Sequence, residues 1–169
     1  RLEKSELNIL VLHAHWNNRG DEAAIRAMVD SLKDRLPVRR ITMMLMTTPG
    51  AHYPDEQVET INTYPGGSKL SYLDALFTVV TYGKLSLTRN GRRFLAAVND
   101  ADLVIHAPGG PSIGDIYGGR LGDLPNLSRL LVAKIIKKKP LLFYAPSMGA
   151  FFKKRYNWLR KFVLKRADR

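Results

Sequence analysis

Cysteine is absent from all 169 residues, which excludes disulfides, thiolate metal sites and a cysteine nucleophile. It fits a reducing compartment, and a cytoplasmic location is the expectation. No apolar run approaches the roughly 18 residues of a membrane-spanning helix, and no signal-peptide pattern is present. No Gly-x-x-x-x-Gly-Lys-Ser/Thr run occurs, so a P-loop is excluded. The first glycine-containing turn lacks Gly-x-Gly-x-x-Gly, and Gly109, Gly110 and Gly114 follow a later strand at the wrong spacing for a dinucleotide fingerprint. Histidine is scarce: of four, His13 and His15 alternate on an extended segment and would share a face. With His106 and Asp21 they match no zinc spacing, so no metal is expected.

Acidic residues are scarce in one region only. From Lys134 to Arg169 twelve basic residues accompany a single acid, Asp168, whereas the preceding part is nearly balanced at 15 basic and 14 acidic. The formal charge of +12 is therefore local. It suits a surface that meets phosphate, an anionic membrane or an acidic partner domain, or simply a solvated helix face. The motifs of nucleic-acid-binding domains are missing, and no nucleic-acid partner is expected.

The chain is organised around Leu7-Asn8-Ile9-Leu10-Val11-Leu12-His13, an apolar run of strand length. It empties into a polar turn, Ala14-His15-Trp16-Asn17-Asn18-Arg19-Gly20-Asp21-Glu22-Ala23, from which a helix starts at once. Such a turn leaves Asn18, Asp21 and Glu22 at the carboxyl end of a buried strand and over a helix N-terminus, where open α/β sheets bind ligands and where backbone N–H groups favour an anion. Capping would account for one of these polar residues, not for the whole run.

Downstream, apolar residues at three- and four-residue spacing predict a helix over 21–36, closed by Pro37. A second strand is expected over 38–46, then a long loop over 47–69 with a short helix near 55–61. Helices follow over 70–82 and 90–99. Asp102 to Ala107 reads as a buried parallel strand. It leads into a glycine-rich loop, Pro108 to Asp115, whose glycines admit close approach or positive φ. A helix over 125–139, a strand over 140–145, a turn at 146–150 and a basic helix over 151–167 complete the chain. On that last helix Phe152, Tyr156, Leu159 and Val163 share one face, which suits the core, and the lysines and arginines, Arg160 among them, occupy the rest. Alternating strands and helices predict an α/β fold, a Rossmann-like, mainly parallel open sheet with helices on both faces.

Three strand ends then converge on one crevice: His13 to Glu22, Ala107 to Asp115, and Ala145 to Ala150. Strand, Ala145-Pro146-Ser147-Met148-Gly149, then helix also has the outline of a nucleophile elbow, and resembles the serine turn of peptidase E-like hydrolases. No histidine follows Ser147, however, and an N-cap or ligand-contacting hydroxyl is the simpler role.

Together these motifs resemble the N-terminal half of the polysaccharide pyruvyl transferase family. The resemblance rests on the Asn-x-Gly-Asp-Glu-Ala turn at Asn18 to Ala23, the Asp-Leu-Val-Ile strand and Gly-Gly loop at Asp102 to Gly110, and the turn at Pro146 to Ala150 before a basic helix ending in Arg166-Ala167-Asp168. Ala150 replaces a usual proline, and His106-Ala107-Pro108 replaces a more glycine-rich stretch. The resemblance implies that residues 1–169 form one Rossmann-like lobe of a two-domain, GT-B-like transferase, with the other lobe lying outside this chain. It implies transfer of a pyruvyl ketal from phosphoenolpyruvate, with no further cofactor, to a sugar or lipid-linked oligosaccharide of a surface or secreted polysaccharide.

Asp21 and Glu22 are the candidate catalytic carboxylates, orienting or deprotonating an acceptor hydroxyl. His13, Asn18, Gly20, His106, Gly109, Gly110, Ser147 and Gly149 are the candidate substrate-binding residues. The basic helix 151–167 is expected to meet either the inner face of an anionic membrane or the other lobe. The rival functions are a serine hydrolase using Ser147 and a non-catalytic anion- or membrane-binding module.

Overall fold

The computed structural model describes residues 6–16, 19–45, 52–62, 69–115 and 123–168. Strand β1 (Leu7–Ala14) is the centre of the sheet. Residues 9–14 are all buried, as a strand covered on both faces requires. Ile9 and Val11 pack against helix α1 (Arg19–Arg35) through Ile25, Met28, Val29 and Leu32. Leu10 and Leu12 point the other way, into a second cluster. The two-residue period of a strand thus divides the core into two layers. Full burial of each such aliphatic side chain stabilises the fold by about 1.5–3 kcal/mol.

The main sheet continues with β2 (Val38–Leu45), β3 (Val58–Asn62), β4 (Leu103–His106) and β6 (Leu141–Phe143). Its order is β3-β2-β1-β4-β6, and every pairing is parallel. The chain therefore runs outward from β1 to one edge, returns and runs to the other. This is the strand order of a Rossmann-type sheet, with its switch point between β1 and β4. Helices α2 (Lys69–Val80), α3 (Arg89–Asp100), α4 (Leu124–Leu131) and α5 (Asn157–Leu164) contribute to the layer opposite α1. The expected α/β class, parallel sheet and two-sided helices are all present.

Several local expectations are corrected. Residues 58–62 form edge strand β3 rather than loop or helix, because Val58 and Ile61 reach the core when paired with β2; residues 47–51 and 63–68 of the expected loop, and residue 46 of the expected second strand, lie outside the described residues. The glycine-rich segment is not a loop. Gly109–Gly114 is strand β5, paired in parallel with β7 (Pro146–Gly149) in a small second sheet. The helix expected over 125–139 is α-helical only as α4, then widens into a π turn over Val132–Ile136, where Lys137 N–H donates to the Val132 carbonyl.

The final helix is also shorter than expected. A 3-10 turn at Lys154–Tyr156 precedes α5, and residues 146–149 are extended instead of leading straight into it. Val163 is buried and Leu159 packs on the core, as the pattern indicated. Phe152 is not inward but 81% exposed, and Arg160, assigned to the solvated face, is 2% exposed. The side chain of Tyr156 lies outside the described residues.

Candidate functional site

The carboxyl ends of β1 and β4 lie side by side, with Leu12 opposite His106 in the register. β1 is irregular between Val11 and Ala14 where it pairs with β2, and His13 in that stretch has a φ of 60°. Positive φ is uncommon for a residue with a Cβ, and such strain gathers at functional sites. Here it accompanies a side chain that is 1% exposed and whose two ring nitrogens have no hydrogen-bond partner among the described residues.

The His13 ring meets His106 edge to face, with centroids 4.9 Å apart. His106 stacks in turn on Phe143 of β6 at 5.1 Å. Its Nδ1 lies 3.0 Å from the Ala107 carbonyl. A carbonyl can only accept, so Nδ1 carries the proton and Nε2 is the basic nitrogen of the neutral ring. Burial lowers the pKa of His106 to about 4. Burial likewise lowers that of His13 well below its ordinary value, with further lowering from His106 and Arg129. His15 is lowered by burial too, partly offset by the Asp21 carboxylate beside it. At neutral pH the cluster consists of uncharged imidazoles, able to take part in hydrogen bonds as neutral rings but made weak proton acceptors by their burial.

Asp21 enters this cluster from the first turn of α1, where an acid also suits the positive end of the helix dipole. It packs against β5 so closely that a Cβ on Gly109 would stand 2.5 Å from its Oδ1. Gly109 also has a φ of 98°, which favours glycine, and a side chain there would displace the Asp21 carboxylate. Gly110 differs. A Cβ at that position would meet the His15 ring at 3.5 Å, an ordinary contact, so its place at the crevice does not depend on being glycine. The structure thus brings Asp21, His15, His13, His106, Gly109 and Gly110 together.

The other candidates are less closely involved. Glu22 is half-buried, and no hydrogen bond or ion pair reaches it among the described residues. Gly20 is exposed at the start of α1, and Asn18 lies outside the described residues. Ser147 is exposed in the middle of β7, ten residues before α5, so it neither caps a helix nor occupies a nucleophile elbow. The residue before it is proline, which lacks an N–H and suits the margin of a two-stranded sheet better than a helix start. Gly149 pairs with Gly114, and a Cβ on Gly114 would stand 1.8 Å from the Gly149 carbonyl oxygen. No group of three or more His, Asp or Glu side chains among the described residues is placed to hold a metal ion.

A buried ion-pair network holds the small sheet against the helices. Arg160 of α5 donates to Asp115, just past β5, at 2.6 Å and to Asp123, just before α4, at 2.9 Å. All these side chains are within 3% of complete burial. The carboxylates have further donors: Gly114 N–H reaches Asp123 at 2.9 Å and Lys153 N–H reaches Asp115 at 2.7 Å. The Arg160 hydrogen bond and the Lys153 amide hold the Asp115 carboxyl below the usual carboxylate range. Sequence reasoning missed this network because a lysine- and arginine-rich helix gives no sign of which cation turns inward.

The family model for polysaccharide pyruvyl transferases matches residues 18–169. No curated protein and no solved structure matches the chain significantly.

Proposed function

This chain belongs to the polysaccharide pyruvyl transferase family, and on that premise we propose that it forms the acceptor-handling lobe of an enzyme that moves a pyruvyl group from phosphoenolpyruvate onto a sugar. The family is one of transferases acting on polysaccharide. The observation that carries the finer reading is the meeting of Asp21 with the neutral imidazoles at the carboxyl ends of parallel strands. Forming the ketal adds a proton to the methylene carbon of phosphoenolpyruvate and joins two sugar oxygens to its central carbon, while the bond to the phosphate oxygen breaks. The two hydroxyl protons balance the sum, one arriving on carbon and one on phosphate.

In this reading Asp21 orients or deprotonates an acceptor hydroxyl, and Glu22 assists from the same helix turn. His13 and His106, neutral at pH 7, offer hydrogen bonds beside it. Asn18, Gly20, Gly109, Gly110, Ser147 and Gly149 are assigned to substrate binding, with Gly109 and Gly110 at the crevice beside Asp21 and His15 admitting close approach to backbone N–H groups. The acceptor is a sugar or lipid-linked oligosaccharide of a surface or secreted polysaccharide, met on the cytoplasmic face of the membrane. No helix among the described residues is long and apolar enough to cross a membrane. Peripheral contact is supported instead by the basic segment 151–167, whose Phe152 and Trp158 are exposed beside its lysines. A second, GT-B-like lobe supplies the rest of the donor site.

The test is a phosphate-release assay on the full-length protein that contains this chain, with phosphoenolpyruvate and a panel of galactose- and mannose-containing acceptors. Acceptor-dependent release that falls at least about a hundredfold in Asp21→Asn, as removal of a positioned base requires, supports the assignment. Full turnover in Asp21→Asn removes Asp21 from the chemistry.

A further inference from the structure

A cavity of about 320 Å³, with both apolar and charged residues in its wall, opens between α2, α3 and α4, in the helix layer opposite α1. None of Asp21, His13 and His106 lines it. Its wall carries Arg129, Arg89, Asn90, Asp74, Thr78 and Ser128. Arg129 is the unusual member. Its guanidinium makes no hydrogen bond or ion pair with a described residue, and burial lowers its pKa to about 10 against the opposing pull of Asp74. Arg129 is half-buried at the cavity wall, and a partly desolvated arginine without a bidentate partner is costly.

Asp74 does not fill that role, because its carboxylate is already committed. It accepts from the Ser86 hydroxyl at 2.7 Å, from Leu87 N–H at 2.6 Å and from the Thr88 hydroxyl at 2.6 Å. Those bonds fasten the 86–88 turn that starts α3. Arg129 lines the same cavity and takes no part in those bonds. Arg89 and Asn90, in the first turn of α3, add a second cation and the positive end of the helix dipole to the same wall. Two guanidinium groups are opposed by one occupied carboxylate, and the start of α3, where the Thr88 hydroxyl already accepts from Gly91 N–H, adds only its dipole, so the cavity has an excess of positive potential.

We propose that this cavity is an oxyanion-binding site in which Arg129 grips a carboxylate or phosphate group, assisted by Arg89 and the start of α3. A planar guanidinium matches either group with two parallel N–H···O bonds. The site is separate from the Asp21 crevice but communicates with it through charge, since Arg129 is among the groups that disfavour protonation of His13.

The experiment is an NMR titration of the full chain with inorganic phosphate and, separately, with acetate, following the arginine Nε–Hε resonances, in wild type, Arg129→Met and Arg129→Lys. The expected result is saturable movement of the Arg129 resonance by at least one of the two anions. Binding is expected to weaken about tenfold or more in Arg129→Met and less in Arg129→Lys, and to be retained in Asp21→Asn. The anion that binds more tightly identifies the ligand class. Failure of both anions to move Arg129, or binding undiminished in Arg129→Met, overturns the proposal. If Arg129→Met does not fold, Arg89→Met and the wild-type resonances decide: an unmoved Arg129 signal, or undiminished affinity in Arg89→Met, refutes the site as drawn.

Discussion

Lowering the pH from 6.5 to 4 is predicted to destabilise this fold through its buried histidines before its carboxylates begin to act. In the unfolded chain His106 titrates near 6.5, and in the folded protein near 4. Between those values the unfolded state binds the extra proton, so the stabilisation is complete above pH 6.5 and is lost as pH falls toward 4. The slope reaches about 1.4 kcal/mol per pH unit, and the whole interval amounts to ~3 kcal/mol from this one residue. That is a large share of a typical stability of about 5–15 kcal/mol. His13 and His15 are lowered as well and act with the same sign. The shifted carboxylates, Asp55, Asp115 and Asp168, lie below their ordinary value of 3.8, so their contributions disappear only near and below pH 4. The window from 4.5 to 6.5 therefore isolates the imidazoles. Urea unfolding at half-unit pH steps in this window, for wild type and His106→Phe, measures the effect. Phenylalanine preserves a ring against Phe143 while removing both nitrogens, and the slope is expected to drop by close to one proton. A flat wild-type profile, or an unchanged slope in His106→Phe, would refute the reasoning.

Three further outcomes follow from the packing. Arg160→Met strands the buried carboxylates of Asp115 and Asp123; a loss of about 3–5 kcal/mol is expected in urea unfolding, partly recovered by adding Asp115→Asn. Gly114→Ala drives a Cβ into the Gly149 carbonyl at a φ of 143°; it is expected to cost at least about 2 kcal/mol and to raise amide exchange in β5 and β7. Gly110→Ala meets only ordinary contacts and is expected to stay within about 1 kcal/mol of wild type by the same assay.

The parts of the fold legible in the sequence are those whose residues carry their own signal. β1 and β4 are apolar runs of strand length, and α1 and α3 repeat their apolar residues at helical spacing. The crevice was legible because polar and glycine-rich turns follow such strands. β5 and β7 were not, since Gly109, Gly110, Pro146 and Gly149 have poor strand propensity and become extended only by pairing with each other. β3 was hidden among turn residues for a similar reason. Its strand character depends on having β2 to pair with.

Side-chain roles divide along the same line. That Asp21 and the histidines would share a crevice follows from strand order, but the strained backbone at His13 and its unpartnered ring do not follow from any local pattern. Nor do Arg129 and Arg160. Both sit on helices whose basic residues all look solvated, and only the packing of several elements decides which cation is desolvated and which acid meets it.

The proposed transfer of a three-carbon unit from phosphoenolpyruvate to a sugar is open to a direct test: incubating the full-length protein with carbon-labelled phosphoenolpyruvate and an acceptor oligosaccharide, then locating the label. The predicted result is label in the acceptor as an acid-labile ketal bridging two hydroxyls, with phosphate released in equal amount. Label remaining entirely in phosphoenolpyruvate or appearing as free pyruvate, across acceptors of every sugar class tried, would contradict it.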